Sequence, residues 1–110
     1  MPIREYLLSS EYIKYWSDFN VNYAGQDYKI YITNLRLLMF KAKGLFFGNE
    51  EIITETWRQI TGLQYNETGK LSRKGQFKFT GSNGEFILEG PKKGMLGLFK
   101  VIQRQTLEPE

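Results

Sequence analysis

Cysteine and histidine are both absent from this chain of 110 residues. Without cysteine, neither a disulfide bond nor a cysteine-ligated metal site can form within the chain. Without histidine, the chain lacks the commonest general base and the commonest ligand of transition metals. Ser-His and Cys-His nucleophilic pairs therefore cannot be built from this chain alone. We expect a protein that is not an enzyme and that holds no metal or other cofactor.

Long hydrophobic runs are absent as well. A transmembrane helix needs ~20 consecutive apolar residues, and the longest apolar runs here have only a few. The N-terminal sequence Met1–Glu5 is followed by too short an apolar run for a signal peptide. We therefore expect a cytoplasmic protein that would meet a membrane only at its surface. The length predicts a single domain over residues 1–110, because one core serves ~100 to 200 residues.

Aromatic residues are abundant, with 7 Tyr, 8 Phe and 2 Trp, and this richness favours β-strands. Alternating apolar and polar residues, or concentrations of β-branched ones, predict seven strands between residues 13 and 89. The first is predicted to run unbroken from Ile13 to Tyr23, with Ile13 and Tyr15 on the same face. After Gly90-Pro91 the period becomes helical, which predicts an amphipathic helix over residues 92–106 with an apolar stripe of Met95, Leu98, Phe99 and Ile102.

The run Tyr28–Phe40 (YKIYITNLRLLMF) contains two β-prone segments joined by Thr33-Asn34, where asparagine suits a tight turn. Within it, Ile30–Leu38 resembles the hairpin of GRAM and prokaryotic PH-like domains, in which a Y-x-T-N-x-R-L run leads into an apolar strand. Seven antiparallel strands and a final helix also resemble the pleckstrin-homology (PH) superfold, which includes the GLUE domain of the ESCRT-II complex. The resemblance implies a mainly-β, seven-stranded antiparallel sandwich or partly open barrel, capped by one C-terminal α-helix.

The same resemblance implies a function. GRAM and GLUE domains are adaptors, and GLUE domains bind phosphoinositides in some members and ubiquitin in others. The chain is accordingly predicted to recruit a larger protein or complex to an anionic phospholipid surface, to a protein partner such as ubiquitin, or to both. In PH domains a basic cluster on the first hairpin usually binds the lipid. Here that turn reads Ala24-Gly25-Gln26-Asp27, and only Lys29 follows it.

Positive charge is instead concentrated in the C-terminal third. Residues 70–104 contain eight basic side chains against Glu85 and Glu89. Cations on a loop can hold phosphate oxygens through charge-assisted hydrogen bonds. The predicted lipid- or anion-binding residues are Lys70, Arg73, Lys74 and Lys78. The alternative is a solvated hairpin whose edge-strand lysines prevent aggregation.

A second candidate segment follows the third predicted strand, where lysines stand beside apolar residues between two glycines. Such a loop could insert shallowly into a membrane interface or contact a protein partner. The alternative is that Leu45 and Phe46 fold back to cap the core, because large apolar side chains are usually buried. The residues predicted for membrane or partner contact are Lys41, Lys43, Phe46 and Phe47.

Nucleic acid is a third class of partner. In Gln76–Thr80 phenylalanines alternate with lysine, and aromatic rings beside cations can stack on bases. The same alternation is explained more simply by a strand with one face in the core. No motif typical of nucleic-acid-binding domains is present, so this partner ranks below lipid and protein.

Overall fold

The computed structural model describes residues 2–41, 50–67 and 73–108. Within these residues, short 3₁₀ helices lie at Pro2–Tyr6 and Trp57–Gln59, and one α-helix, α1, spans Lys92–Leu107. The eight strands are β1 (Ile13–Trp16), β2 (Val21–Tyr23), β3 (Gln26–Thr33), β4 (Arg36–Lys41), β5 (Glu51–Thr56), β6 (Thr61–Glu67), β7 (Lys74–Gly81) and β8 (Gly84–Pro91).

All paired strands are antiparallel, in the order β5-β4-β3-β2-β8-β7-β6, and β1 pairs with β3 outside this path. The sheet curls into a half-barrel, and α1 packs against β6, β7 and β8. The predicted mainly-β antiparallel architecture with a C-terminal capping helix is therefore confirmed. The strands end at Pro91 rather than residue 89, and the helix ends at Leu107 rather than residue 106.

The predicted unbroken first strand is wrong. Residues 17–20 separate β1 from β2, which gives eight strands instead of seven. At the break, the Ile30 N–H donates to the buried Ser17 Oγ, and the Ser17 N–H donates to the Ile30 carbonyl, both at 2.9 Å. A polar residue inside the alternation thus stays bonded to β3 while the chain bends from one half of the sheet to the other.

The predicted shared face of Ile13 and Tyr15 is also wrong. The register of β1 against β3 shifts between these residues, because Ile13 is opposite Thr33 and Tyr15 is opposite Ile32. Lys14 is therefore the extra residue of a β-bulge. Ile13 packs against one apolar cluster of the protein and Tyr15 against the other.

The main core fills the concave side of the half-barrel and is covered by α1. Phe79 and Phe86 stack across β7 and β8 with ring centroids 4.8 Å apart. The helix adds the fully buried residues of its apolar stripe, as predicted from its period. The core residues that lose essentially all contact with water include Val21, Ile30, Ile32, Leu37, Met39, Phe77, Phe79, Leu88, Met95, Leu98 and Ile102.

A second, smaller cluster lies on the opposite face of β3 and β4, where Ile3 packs with Tyr31, Leu38 and Phe40. The N-terminal segment covers this face, and Tyr6 and Leu7 pack at its margin. Since both faces of β4 are covered, its four central residues Leu37–Phe40 are all buried and all apolar.

The turn between β3 and β4 is held by its own side chains. Thr33 Oγ1 accepts hydrogen bonds from the backbone N–H groups of Leu35 and Arg36, at 3.1 and 3.0 Å. Asn34 accepts a bond from the Tyr12 N–H at 2.9 Å and donates to the Ser10 carbonyl at 3.2 Å. These bonds fix the turn to the N-terminal segment, which gives the Thr-Asn pair a structural role.

Candidate anion-binding site

Part of the predicted basic cluster lines a cavity of about 660 Å³ at the start of β7. Arg73 and Lys74 form one wall, and the other described lining residues are Asn20, Asn22, Asp27, Glu89, Gly90 and Pro91. The Lys74 ammonium lies 3.8 Å from Glu89 Oε1. Two carboxylates therefore oppose two cations in this cavity, which leaves it with little net attraction for an anion.

The other members of that cluster are elsewhere. Lys78 is on the outer face of β7, about 13 Å along the strand from Lys74 at 3.3 Å per residue. Its neighbours across the sheet are Ile87 and Gln64. Lys70 lies outside the described residues. The structure thus brings Arg73 and Lys74 together and separates Lys78 from them.

Of the residues predicted to contact a membrane or partner, Lys41 is at the end of β4. Its ammonium donates a hydrogen bond to Gln26 Oε1 and lies 3.7 Å from Glu51 Oε2. Lys41 therefore belongs to a local polar network between β3, β4 and β5. Lys43, Phe46 and Phe47 lie outside the described residues.

The outward side of α1 is basic. The helix Lys92–Leu107 contains four basic residues and no acidic one. Lys93, Lys100 and Arg104 are exposed and lie within about 40° of one another around the axis, at 3.6 residues per turn. We call these three residues the basic face of α1. The opposite side of the helix holds its buried residues, Met95, Leu98, Ile102 and Gln105.

A cavity of about 350 Å³ lies between β1 and α1, beside the basic face. Its described lining residues are Lys14, Tyr15, Lys100, Val101, Arg104 and Gln105. Three of these are cations and none is a carboxylate. The described lining of this cavity is therefore net positive, whereas that of the larger cavity is close to neutral.

Lys14 and Gln105 connect the two walls of this cavity. The Lys14 ammonium donates to Gln105 Oε1 at 3.0 Å, although the residues are 91 positions apart in sequence. Gln105 is only 4% exposed, and its Nε2 finds no hydrogen-bond acceptor among the described residues. A buried amide group is thus left with an unsatisfied donor next to the cavity.

Tyr15 lines the same cavity and packs against the main core. Burial, and to a smaller extent the charge of Asp18, raises the pKa of the Tyr15 hydroxyl above its ordinary value of 10.0. The hydroxyl therefore keeps its proton at neutral pH and remains a hydrogen-bond donor.

The cavity between β1 and α1 was not predicted from the sequence. One signal was available, because Gln105 continues the apolar spacing 95, 98, 102 and is a polar residue on the buried stripe of the helix. Lys14 had no such signal. The sequence pattern places Lys14 on the polar side of an alternating strand. The bulge, which this pattern does not predict, changes the direction of its side chain.

The described residues contain no group of three or more His, Cys, Asp or Glu side chains that could hold a metal ion. Within the same part of the chain, no helix has both the length and the hydrophobicity needed to cross a membrane.

No protein-family model matches the chain, and no curated protein matches it significantly in sequence. Among solved structures, one of Vav1 inhibited by an allosteric inhibitor matches with a TM-score of 0.54 and 14% sequence identity. The match covers 89% of this chain but only 28% of the Vav1 chain. At this identity the likeness concerns the fold alone. Vav1 contains a PH domain, and the curled antiparallel sheet with its C-terminal helix is consistent with a PH-like fold.

Proposed function

We propose that the chain is a non-catalytic PH-like adaptor module of the GRAM or GLUE type, which recruits its protein to anionic phospholipid membranes. The hairpin Ile30–Leu38 supports this placement within the PH-like fold. The chain corresponds to 28% of the Vav1 chain that it matches, which suits a module of a larger protein. The observation that carries the lipid proposal is the basic face of α1.

Electrostatic attraction to the membrane would come mainly from cations that have no partner within the protein. Lys93, Lys100 and Arg104 make no ion pair with the described residues. Each basic residue held near an anionic bilayer contributes about 1 kcal/mol of attraction. The basic face is therefore sufficient for weak, salt-sensitive recruitment.

The predicted residues Arg73 and Lys74 adjoin this surface at the start of the helix. The Lys92 N–H donates to the Arg73 carbonyl at 2.6 Å, so the start of β7 and the start of α1 are fastened together. Here the charges are partly offset, because Lys92 lies 3.4 Å from Glu67 and Lys74 lies 3.8 Å from Glu89. Both pairs are exposed and therefore weak, so these cations add to the basic face to a lesser degree.

Co-sedimentation with vesicles tests the proposal. The wild-type protein should sediment with phosphatidylserine-containing vesicles but not with pure phosphatidylcholine, and binding should fall as salt is raised. Replacing both Lys100 and Arg104 by Gln should weaken binding roughly thirtyfold, the equivalent of about 2 kcal/mol for two basic residues. The double variant Arg73→Gln, Lys74→Gln should weaken it less.

The matched control is the double variant Arg4→Gln, Arg58→Gln. It removes the same charge from exposed positions outside the basic face. Its binding should stay within about threefold of wild type, because attraction falls off within a Debye length of the membrane. Equal losses in the two double variants would show that net charge, not this face, is responsible. Absence of sedimentation with anionic vesicles would refute the lipid proposal.

The alternative partner is a protein, with ubiquitin as the specific candidate for a GLUE-type module. An NMR titration with ubiquitin up to the millimolar range, where even a weak module binds, distinguishes a protein partner from a lipid partner. Shifts confined to one sheet face or to α1, without vesicle binding, would replace lipid by protein as the partner. Retention on oligonucleotides at physiological salt would instead indicate nucleic acid.

A further inference from the structure

Trp16, the last residue of β1, is 54% exposed. Tryptophan is usually much more buried, because its large ring gains a great deal from leaving water. In the register of β1 against β3, Trp16 is directly opposite Tyr31, and directly opposite residues share a face of the sheet. Tyr31 is buried in the second cluster under the N-terminal segment. Trp16 therefore stands on the same face, beyond the part that this segment covers.

A cation lies close to Trp16 on this face. Lys29 precedes Tyr31 by two residues on β3, so the two side chains leave the sheet on the same side. Its neighbour across β4 is Phe40, another member of the second cluster. Lys29 makes no ion pair with the described residues. Its charge is therefore not offset within this part of the chain.

The segment that contains Trp16 also runs beside the helix. Among the described strands β1 pairs only with β3, and α1 lies along the segment that leads out of β1. The Tyr15 hydroxyl approaches Gly97, and the Phe19 ring lies against Gly94. Tyr15 also lines a cavity together with two members of the basic face. Trp16 thus lies between two contacts with α1, at the margin of the protein that the basic face adjoins.

We propose that Trp16 inserts into the headgroup region of an anionic bilayer and anchors the protein there, while the basic face of α1 attracts the bilayer by charge. Indole rings favour the membrane–water interface, because the ring leaves water while its N–H remains hydrogen-bonded. Surfaces that bind at this depth combine such aromatic residues with cations. Lys29 and the basic face supply four cations, against the one carboxylate of residues 15–19, Asp18. The anchor rests on the proposed membrane function for its occupant.

Tryptophan fluorescence tests the anchor directly. The chain has two tryptophans, and the second, Trp57, is only 6% exposed and donates its indole N–H to the Thr33 carbonyl at 3.0 Å. Adding phosphatidylserine-containing vesicles should shift the emission to shorter wavelengths through Trp16 alone. The variant Trp16→Phe, in which Trp57 is the only emitter, should show no shift. Lipids brominated close to the headgroup should quench the wild-type emission more than lipids brominated at the chain end.

The variant Trp16→Thr removes the ring and keeps a β-branched residue that suits a strand. Its vesicle affinity should fall on the order of tenfold, because the exposed half of the ring no longer leaves water on binding. The dependence of its affinity on salt should match that of wild type, since no charge is removed. The double variant Lys100→Gln, Arg104→Gln should instead show a weaker salt dependence.

The matched control is Ile87→Thr, which removes another exposed apolar side chain from a strand. Ile87 is 42% exposed on β8, in the half of the sheet away from β1. Its variant should retain wild-type vesicle affinity, and circular dichroism checks that both threonine variants are folded. Equal affinities in the two variants, or an emission that vesicles leave unchanged, would overturn the anchor. An emission shift on addition of ubiquitin but not of vesicles would also overturn it, because Trp16 would then contact a protein.

The two proposals fail separately. If anionic vesicles bind the protein and the loss of Lys100 and Arg104 weakens binding, but Trp16→Thr binds like wild type, the basic face stands and the anchor is wrong. If binding is unchanged by the loss of Lys100 and Arg104 but Trp16→Thr abolishes it, the anchor stands and the role of the basic face is wrong.

Discussion

The Arg36 guanidinium donates to both oxygens of the Glu11 carboxylate, from Nε to Oε2 and from Nη2 to Oε1, each at 2.9 Å. The Glu11 side chain is fully buried and that of Arg36 is 20% exposed. Thr33 Oγ1 and the Leu8 N–H donate to the same carboxylate at 2.6 and 3.1 Å. The pair therefore joins the start of β4 to the N-terminal segment through a carboxylate with every oxygen bonded.

Replacing Arg36 by Met should destabilise the protein strongly. The substitution leaves the Glu11 carboxylate buried without its counter-ion, and breaking a buried pair in this way costs about 3–5 kcal/mol. Urea unfolding followed by circular dichroism measures the loss. The control is Arg4→Met, an exposed arginine of the N-terminal 3₁₀ helix, which should change stability by no more than about 0.5 kcal/mol. Similar losses in both variants would contradict the structural role of the pair.

Acid should lower the free energy of unfolding by protonating the same carboxylate. Burial raises the pKa of Glu11, but hydrogen bonds from Arg36, Thr33 and the Leu8 backbone outweigh it, and the pKa lies below its usual 4.5. A carboxyl group with a lowered folded-state pKa stabilises the protein above the unfolded pKa, and this contribution is lost as pH falls through the folded pKa.

The variant Glu11→Gln isolates this effect. Its unfolding free energy should be lower than that of wild type at neutral pH, but it should decline less steeply between about pH 4.5 and the acid limit, since the variant has no proton to take up at this site. Urea titrations at a series of pH values give the two slopes. Parallel slopes would show that other carboxyl groups dominate the acid response.

Two glycines of α1 should respond to alanine in opposite directions. An ideal Cβ at Gly94 would lie 2.4 Å from Phe19 Cε1, whereas one at Gly97 meets only the Tyr15 hydroxyl, at 3.6 Å. Gly97→Ala should raise stability by about 0.5–1 kcal/mol through helix propensity. Gly94→Ala should lower it by about 1–3 kcal/mol because the Phe19 ring must move. Thermal melts of both variants measure this, and a shared sign would contradict the contact.

Glu55 joins β5 to the turn between β7 and β8. This buried carboxylate on β5 accepts the Ser82 N–H with both oxygens at 3.1 Å and the Ser82 hydroxyl at 3.0 Å. Glu55→Gln should cost about 1–3 kcal/mol, because one oxygen becomes an NH₂ group that faces a donor. Chemical denaturation of Glu85→Gln, an exposed glutamate at the start of β8, provides the reference and should show almost no change.

Local pattern was sufficient to predict most strands, the Thr33-Asn34 turn and the helix, because each depends on neighbours in sequence. The bulge at Lys14 and the break after Trp16 were not predictable, since both depend on pairing with β3 and β8. The neutralisation of Lys74 by Glu89 depends on the register of β7 against β8. The contact of Lys14 with Gln105 depends on the docking of α1, which no local pattern describes.

The two-sided burial of β3 and β4 makes the first residues of the chain a determinant of solubility. Ile3 is fully buried against Leu38 and Phe40, so the N-terminal segment covers the second cluster and shields it from water. A shortened protein that began at Ser10 would present Tyr31, Leu38 and Phe40 to water as one contiguous patch. Such a patch on a sheet promotes self-association, so proteolytic removal of nine residues would make the protein prone to aggregate.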